Sequence, residues 1–347
     1  MEAETALELV KEGATLLLLD VPQHTLIGID TQMFSTGPNF KGVKMIPPGV
    51  HFIYYCSSNR EGNEFSPIVG YFVDVSPSEV IVRKWDPKEE RFVKLSEEEE
   101  ERYAQAVKKL EFDRQLGPYA LDQYGDWKRL SNFITRNTIE NIEPIGGEIT
   151  VISESEMVES VPKTAMEKVL AEQLKCSKFS KPDKKSPSKG CYYTSIPRVI
   201  KQKGASGQDL TNMNLDKTQI LENILTKQYG GSEDSLLGEL QFAFVAFLMG
   251  QSLEAFLQWK LLVSLLLGCT EAPLHTRTQL FTKDFFSLVL DAPMVDGDLL
   301  TWTRKLRELL EQTLGWDFQQ NSAVDEMYLE EDDEFAPVVE ILDDPDH

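Results

Sequence analysis

The hydrophobic pattern divides the chain into two parts with different periods. Up to about residue 152, short apolar runs alternate with turn signals such as Pro22-Gln23 and Ser76-Pro77, which is typical of a β-rich domain. The predicted strands cover residues 15–21, 25–30, 50–56, 68–75, 80–85 and 91–95. Strands at this spacing predict a packed antiparallel sheet or a sandwich.

Helical patterns interrupt this β-rich part. A short amphipathic helix is predicted over residues 3–12, and another helix starts at Ser96, where Glu99 completes a capping box. A further helix is predicted over residues 121–134, because Tyr124 and Trp127 begin a stripe of apolar residues at helical spacing. We assign that stripe to the core.

One turn in the β-rich part carries several informative residues. Pro48 followed by Gly49 suits a type II turn, since glycine accepts the positive φ that the turn requires. This turn leads into the strand that carries Val50, Phe52 and Tyr54 on one face. Three neighbouring side chains are expected to be exposed and are candidate partner-binding residues: Lys41, Lys44 and Met45.

From about residue 215 the period becomes helical. Predicted helices cover residues 216–229, 232–249, 252–267, 274–290 and 299–314, with Asp216 and Gln219 as a capping pair for the first. The helix at 232–249 is apolar on nearly all sides, so it should lie at the centre of an antiparallel array. The domains predicted are a β-rich domain at 1–152 and an all-α domain at 214–318, which makes an α+β multidomain protein.

Between these domains lies a predicted linker, residues 153–213. A short helix at 164–174 precedes a Lys-, Ser- and Pro-rich run over residues 178–190, which cannot bury a core and should be partly mobile. Ser186 precedes Pro187 beside lysines and is a candidate phosphosite, because phosphate there would cancel local positive charge.

The last predicted segment is an acidic tail, residues 319–347. No Lys or Arg follows Arg307, and twelve Asp and Glu lie from Asp317 to the end. The tail nevertheless contains an apolar island at 335–342, which gains nothing from exposure to water. We predict that it adds as a strand to a partner's sheet, through five candidate residues: Phe335, Pro337, Val338, Val339 and Ile341.

Composition limits the kinds of partner and compartment. The net charge of −22 disfavours direct binding of nucleic acid, whose phosphates an acidic surface repels.

The four cysteines lack metal or redox spacing, and Cys56 and Cys269 lie in apolar surroundings that suit small buried side chains. Residues 1–11 do not resemble a signal peptide, and residues 242–267 are too polar to span a membrane. We expect an intracellular protein, in the cytoplasm, the nucleus or both.

The sequence offers no recognisable catalytic motif. Only four histidines are present, and no Walker loop, His-Glu-x-x-His or Gly-x-Ser-x-Gly occurs. We therefore expect no enzymatic activity, no cofactor and no metal. A site assembled from scattered residues would escape this test, so an enzyme with an unrecognised site stays an alternative.

Three segments together resemble the a1-alpha2 splicing factor family. They are Gly42 to Phe52; Leu237 to Val245 with the later Glu254-Ala-Phe and Trp259-Lys260; and Trp316-Asp-Phe318 with Ala336 to Val339. Lesser matches are Gly28-Ile-Asp30, Leu116 to Tyr119 and Ser131 to Ile134. The resemblance spans nearly the whole chain, although residues 274–300 are shorter than the family pattern.

The resemblance implies a β-rich N-terminal domain, a linker and a VHS-like helical domain. It also implies a non-enzymatic factor that assembles the U5 small nuclear ribonucleoprotein by binding its large central scaffold protein, at the RNase H-like and MPN-type domains. In that family, release is linked to phosphorylation. A monomer without membrane contact is expected. The alternative is a trafficking or signalling adaptor, since VHS-like domains serve there.

Overall fold

The N-terminal part of the computed structural model contains two five-stranded sheets. The structure describes residues 12–59, 62, 64–150, 190–197 and 215–269. The strands are β1 (Ala14–Leu19), β2 (Leu26–Ile29), β3 (Gln32–Ser35), β4 (Gly42–Ile46), β5 (Gly49–Cys56), β6 (Val69–Val75), β7 (Val80–Asp86), β8 (Arg91–Val93), β9 (Leu116–Pro118) and β10 (Ile149–Thr150). The prediction of a β-rich domain is confirmed.

The sheets are not wholly antiparallel. The first has the order β8-β7-β1-β4-β9 and the second β10-β6-β5-β2-β3. In the first sheet, β1 pairs in parallel with β7, and β4 pairs in parallel with β9. The antiparallel prediction was wrong for these pairs, because parallel neighbours come from chain segments far apart and hydrophobic alternation carries no information on strand direction. The list of strands predicted from the sequence also lacked β3, β4, β9 and β10.

The two sheets pack against each other through their inner faces. One buried cluster combines Leu16 and Trp85 of the first sheet with Ile27, Ile53 and Tyr55 of the second. Along β5 the side chains alternate, as the period of a strand requires. The sandwich prediction therefore holds in its coarse form, a β-rich domain with two facing sheets.

Helices cover the outer faces of both sheets. They are α1 (Glu97–Lys108), α2 (Tyr124–Ser131), α3 (Arg136–Ile142), α4 (Thr218–Gln228), α5 (Glu233–Leu248) and α6 (Leu253–Leu267). Val107 of α1 packs on Leu17 and Val82 of the first sheet. On the second sheet, the ring of Phe72 stacks on that of Phe242 in α5, with centroids 4.3 Å apart. The helices thus extend the core of the sandwich outward.

Side-chain caps fix most of the helix starts that the sequence predicted. Ser96, Ser232 and Ser252 each accept a hydrogen bond from the backbone N–H three residues on. The predicted capping pair at Asp216 was wrong, because α4 begins at Thr218. There Oδ1 of Asp216 accepts from the backbone N–H and the hydroxyl of Thr218, at 3.3 and 2.8 Å. This is a local turn contact of the kind that Asp forms two residues ahead.

The helix predicted over residues 121–134 is divided in the structure. A 3-10 turn at Leu121–Gln123 precedes α2, and a new helix, α3, starts after Thr135. The hydroxyls of Thr135 and Thr138 form a reciprocal capping box, which restarts the helix in a new direction. The core assignment of the stripe holds for Trp127, which is buried.

The apolar helix α5 is buried along its whole middle, residues 236–247, as its lack of a polar face predicted. No helix among the described residues is long and apolar enough to cross a membrane. The chain divides into two compact units, Met1–Thr270 and Glu271–His347. The predicted helices at 3–12, 164–174, 274–290 and 299–314, the shortened region at 274–300 and the acidic tail lie outside the described residues.

Candidate functional site

The three candidate residues beside the Pro48-Gly49 turn lie on and next to β4. They are half-buried, whereas the sequence predicted exposed side chains. Lys44 forms an ion pair with the carboxylate of Asp113, and its Nζ also donates to the Asp113 carbonyl at 3.2 Å. The backbone of Lys41 bridges Leu18 and Gln115. The strand register explains the burial, because β4 lies between β1 and β9. Partner binding by these residues stays a prediction.

The turn itself carries the chain from the first sheet to the second. Gly49 has φ +127°, which confirms the predicted need for glycine there. Met45 has φ +64°, a conformation that side chains rarely adopt. The last residues of β4 therefore bend so that β5 starts in the other sheet, and a buried polar network fixes this crossing.

The network joins Asp30, His51 and Tyr119, which lie far apart in the sequence. Nδ1 of His51 is 2.6 Å from Oδ2 of Asp30, and the hydroxyl of Tyr119 donates to the same oxygen at 2.6 Å. Oδ1 of Asp30 accepts from the backbone N–H of Phe52 at 2.9 Å. Nε2 of His51 is 2.6 Å from the carbonyl oxygen of Pro47. Every polar atom of the three side chains thus has a partner.

The hydrogen bonds assign one proton of the imidazole. A carbonyl oxygen only accepts, so Nε2 of His51 carries a proton toward Pro47. Nδ1 of His51 and Oδ2 of Asp30 share a further hydrogen bond, so the two side chains form a buried hydrogen-bonded pair. Burial, and next the Asp30 charge, raise the pKa of Tyr119, so its hydroxyl stays protonated.

His, Asp and Tyr side chains also occur together in acid–base sites. Here the three side chains are not accessible from the surface. Asp30 and His51 are 0% exposed and Tyr119 is 3% exposed. The rings of Tyr119, Tyr124 and Trp127 surround the imidazole, with centroids 5.8, 6.4 and 6.3 Å away. In the part of the chain that the structure describes, these atoms are enclosed, and the network joins the two sheets at the crossing.

A second buried network lies on α5, around Glu239. This side chain is 2% exposed. Its carboxylate accepts four hydrogen bonds at 2.8 Å: from the backbone N–H and the hydroxyl of Thr194, from the Tyr229 hydroxyl and from Nε2 of Gln258. Burial, and next the Glu239 charge, raise the pKa of Tyr229. The carboxylate therefore connects α4, α5 and α6 with residue 194.

We call residues 190–197 the strap, because several helices hold this extended segment. The backbone N–H of Cys191 donates to Glu254 at 3.1 Å, and that of Tyr192 donates to the Ile142 carbonyl at 2.8 Å. The ring of Tyr193 meets that of Phe242 edge-on. The sequence placed the strap within a partly mobile linker. Its fixed position went unpredicted, because its partners lie 45 or more residues away.

The same turn of α5 also contacts the end of α2. Oε1 of Gln241 accepts from the backbone N–H of Phe133 at 2.8 Å, and its Nε2 donates to Oδ1 of Asn132 at 2.6 Å. A Cβ on Gly238 would lie 2.6 Å from the Phe133 carbonyl oxygen, so only glycine permits this approach. Gly238, Glu239 and Gln241 together connect the β-rich domain and the strap to the helices.

The remaining candidate residues give no sign of chemistry or lie outside the described residues. Among the described residues, no group of three or more His, Cys, Asp or Glu is placed to hold a metal ion. Cys56 and Cys269 are buried as predicted, and burial raises the pKa of both thiols. Ser186 and the five tail residues Phe335, Pro337, Val338, Val339 and Ile341 fall outside the description.

The segments that carried the family resemblance meet in these two networks. Gly28 to Asp30, Gly42 to Phe52 and Leu116 to Tyr119 supply the first, and Leu237 to Val245 supplies the second. The sequence signal was a polar residue within an apolar strand or helix, as for His51 and Glu239, or directly after one, as for Asp30. Pairing those residues across the chain required the fold.

Two facing sheets carry helices that are fixed to one of them by buried polar contacts. This architecture defines the class of protein. Comparison with known families gives two matches. Residues 12–144 match the AAR2 N-terminal domain, and residues 193–288 match the AAR2 C-terminal repeat region.

Related proteins match over most of their length. Protein AAR2 homolog of Homo sapiens is 34% identical over 277 residues, which cover 77% of this chain and 72% of the human protein. The Caenorhabditis elegans homolog is 29% identical, with 89% and 95% covered. The A1 cistron-splicing factor AAR2 of Saccharomyces cerevisiae is 22% identical, with 75% and 72% covered. The chain belongs to the AAR2 family, which confirms the resemblance.

Proposed function

We propose that this chain is a non-enzymatic assembly factor that acts in pre-mRNA splicing. Its partner would be the central scaffold protein of the U5 small nuclear ribonucleoprotein, bound at the RNase H-like and MPN-type domains. The observation that carries the proposal is membership of the AAR2 family, with matches to both of its domains. A yeast relative is named a splicing factor. The VHS-like arrangement of the helical domain belongs to the same proposal.

The buried networks support a binding role. An exposed carboxylate could act as an acid or a base. The Asp30 and Glu239 carboxylates are instead enclosed, and their oxygens accept hydrogen bonds from within the fold. Binding would then involve the surface of the chain and segments that become ordered on a partner. With a net charge of −22, the chain favours a protein partner over nucleic acid. It would act as a monomer in the cytoplasm and the nucleus.

Strand addition by residues 335–342 is the proposed mode of contact. Ordering each residue costs about 1–2 kcal/mol, whereas each backbone hydrogen bond returns about 0.5–1.5 kcal/mol. Burial of Val339 and Ile341, which share one face of the strand, would add about 1.5–3 kcal/mol each. Pro337 lacks an N–H and suits the first position of the strand. The tail alone would bind weakly, so the folded part must supply a second contact.

The first experiment identifies the partner. The full chain is immobilised and exposed to nuclear extract, and the retained proteins are identified by mass spectrometry. The proposal expects the U5 scaffold protein with other U5 components. Retention of membrane-sorting cargo without the scaffold would favour an adaptor, and retention of neither would contradict the proposal.

The second experiment tests the tail. Val339→Asp and Ile341→Asp are introduced together into the full chain, and both scaffold binding and the thermal midpoint are measured. We expect weaker binding at an unchanged midpoint, because a charged side chain cannot enter the partner's apolar face. Unchanged binding would end the strand-addition proposal, and a large drop in the midpoint would show that the segment packs within its own chain.

A further inference from the structure

Four strands lie at the edges of the two sheets, β8 and β9 in the first and β10 and β3 in the second. An edge strand presents unpaired backbone groups that another chain can extend, so proteins shorten such strands or place charges or proline on them. β8 carries Arg91, β9 carries Pro118, and β10 has two residues. β3 has four residues, with neither a charge nor a proline. Of the edges described, β3 is the one that lacks these protections.

The backbone of β3 bonds to β2 at every second residue. The N–H of Thr36 donates to the carbonyl of Thr25 at 2.9 Å, and bonded and unbonded positions alternate along an antiparallel pair. Phe34 therefore also bonds to β2, whereas the N–H and C=O groups of Met33 and Ser35 point to the open side. No described residue bonds to these groups. β3 thus offers two donors and two acceptors to a further strand.

The side chains along this edge are uncharged. Charged residues make up 27% of the chain, yet residues 31–40 contain no Asp, Glu, Lys or Arg. Met33 is 56% exposed, and Ser35 is exposed as well. A strand that pairs here therefore removes no charge of this segment from water, a step that would be costly.

Two phenylalanine rings give an added strand an apolar contact. Phe34 pairs with the core residue Ile27, and its side chain lies on the same inner face of the sheet. Its ring stacks on that of Phe40, with centroids 5.8 Å apart. Both rings are only partly buried. An aliphatic residue beside Phe34 on the added strand would cover them and remove apolar surface from water.

The small size of the edge and the charge of the chain favour another protein over a second copy of this chain. Specific interfaces bury about 1,200–2,000 Å², and two four-residue strands paired edge to edge supply only a small part of that area. Each copy also carries a net charge of −22, so two copies repel each other. A basic partner protein is instead attracted to this chain, and a larger interface can then surround the added strand.

We propose that β3 is a docking edge, to which an extended, uncharged segment of a partner protein adds as a further strand of the second sheet. The segment bonds to the backbone of Met33 and Ser35 and places an aliphatic residue on Phe34 and Phe40. This inference does not depend on the tail contact proposed above. It gives the folded part of the chain a contact of its own, and the purified chain is enough to test it.

The test observes the backbone amides of the isotope-labelled full chain by NMR. The probe is acetyl-Thr-Val-Thr-Val-Thr-amide, in which a valine can face Phe34. The control is the same peptide with N-methyl groups on its threonines, which remove the N–H donors of the pairing edge. We expect saturable shifts at Met33 and Ser35 with the probe, and binding about tenfold weaker with the control. No saturable shift, equal affinity for the two peptides, or shifts confined to other strands would overturn the proposal.

Substitutions at Ser35 make the test specific to this edge. Ser35→Pro removes the N–H that points to the open side, a position where edge strands tolerate proline, and leaves the bonds between β3 and β2 in place. It should weaken binding of the probe about threefold to tenfold, whereas Ser35→Ala keeps the N–H and should leave the affinity unchanged. If Ser35→Pro lowers the thermal midpoint, Met33→Lys, at an exposed side chain, replaces it and should weaken binding several-fold. Unchanged affinity in the folded variants would refute the proposed edge.

Two further measurements separate the partner's strand from other occupants. In the full chain that carries Val339→Asp and Ile341→Asp, the amide signals of Met33 and Ser35 should keep their positions. Sedimentation should show a monomer at the concentration used for NMR. Moved signals would assign the edge to the chain's own tail, and a dimer that Ser35→Pro dissociates would assign it to a second copy. Either result would overturn the proposal.

Discussion

Asp30 and Glu239 are two buried carboxylates that hold the structure in different ways. Asp30 pairs with the imidazole of His51, and its network lies entirely within the β-rich domain. The Glu239 carboxylate accepts only from neutral donors and connects helices to the strap. The first network fixes how the chain crosses from one sheet to the other. The second fixes where a segment of the predicted linker lies.

The two carboxylates contribute to the fold in different ways. Removal of Asp30 leaves buried groups of both sheets without their hydrogen-bond partner, and each unsatisfied buried group is costly. A carboxylate with four neutral donors loses less when it is neutralised, since each donor contributes separately. We therefore expect the Asp30 network to control global stability and the Glu239 network to control the attachment of the strap.

The largest effect is expected for Asp30→Asn. Asparagine offers one accepting oxygen and places an NH₂ group against the groups that bond to Asp30, so the free energy of unfolding should fall by about 1–3 kcal/mol for each buried group left unsatisfied. Urea unfolding followed by circular dichroism measures this. Asp74→Asn, at an exposed position on β6, is the matched control and should change little. Equal effects of the two substitutions would show that the hydrogen bonds of Asp30 do not stabilise the fold.

A smaller and more local effect is expected for Glu239→Gln. The amide offers one accepting oxygen and places an NH₂ group against other donors, which should cost about 1–3 kcal/mol. Hydrogen exchange should accelerate at Cys191 and Thr194 of the strap more than in β5. Glu140→Gln, in an exposed pair with Arg136, serves as control. Uniform acceleration across both networks would contradict the proposed division of roles.

Gly238→Ala tests the close approach of α5 to α2. The new methyl group would press on the Phe133 carbonyl, so a loss of about 1–3 kcal/mol is expected in thermal unfolding. Gly125 is also helical but has open space around its Cβ position. Gly125→Ala should therefore stabilise by up to about 1 kcal/mol. If both substitutions have the same sign, the contact at Gly238 does not constrain the fold.

Alkaline pH should weaken both networks through their tyrosines. The pKa values of Tyr119 and Tyr229 are raised above 10.0, first by burial and next by the neighbouring carboxylate. The unfolded tyrosines ionise near pH 10 while the folded ones stay neutral. This stabilisation is therefore complete below pH 10 and is lost as the pH rises further, by up to about 1.4 kcal/mol per pH unit for each tyrosine.

Unfolding midpoints between pH 8 and 11 test this dependence. Tyr119→Phe and Tyr229→Phe should each flatten the decline above pH 10, whereas Tyr192→Phe, at an exposed position, should not. A decline of the same slope in all four proteins would mean that other groups govern alkaline unfolding.

Local patterns predicted many elements of the fold but few of its long-range contacts. The caps at Ser96, Ser232 and Ser252 and the burial of α5 follow from residues within a few positions of each other. The parallel pairing of β1 with β7 does not, since it joins segments about sixty residues apart. The break between α2 and α3 was missed because threonines formed its capping box and apolar residues continued across it.

The candidate site was predicted less well, for a similar reason. Lys44 was expected to be exposed because it lies beside a turn, yet Asp113, from a distant segment, pairs with it. His51 was one of four histidines without a catalytic motif, and nothing local indicated Asp30 as its partner. Resemblance to a family identified the right segments without showing which residues within them meet.

The proposed function requires that the full chain bind the U5 scaffold protein. Isothermal titration of the purified full chain into the scaffold's RNase H-like and MPN-type domains, each tested separately and together, measures this directly. We expect saturable binding that is tightest when both domains are present. Absence of binding to either domain and to their combination, by a folded chain with a normal thermal midpoint, would contradict it.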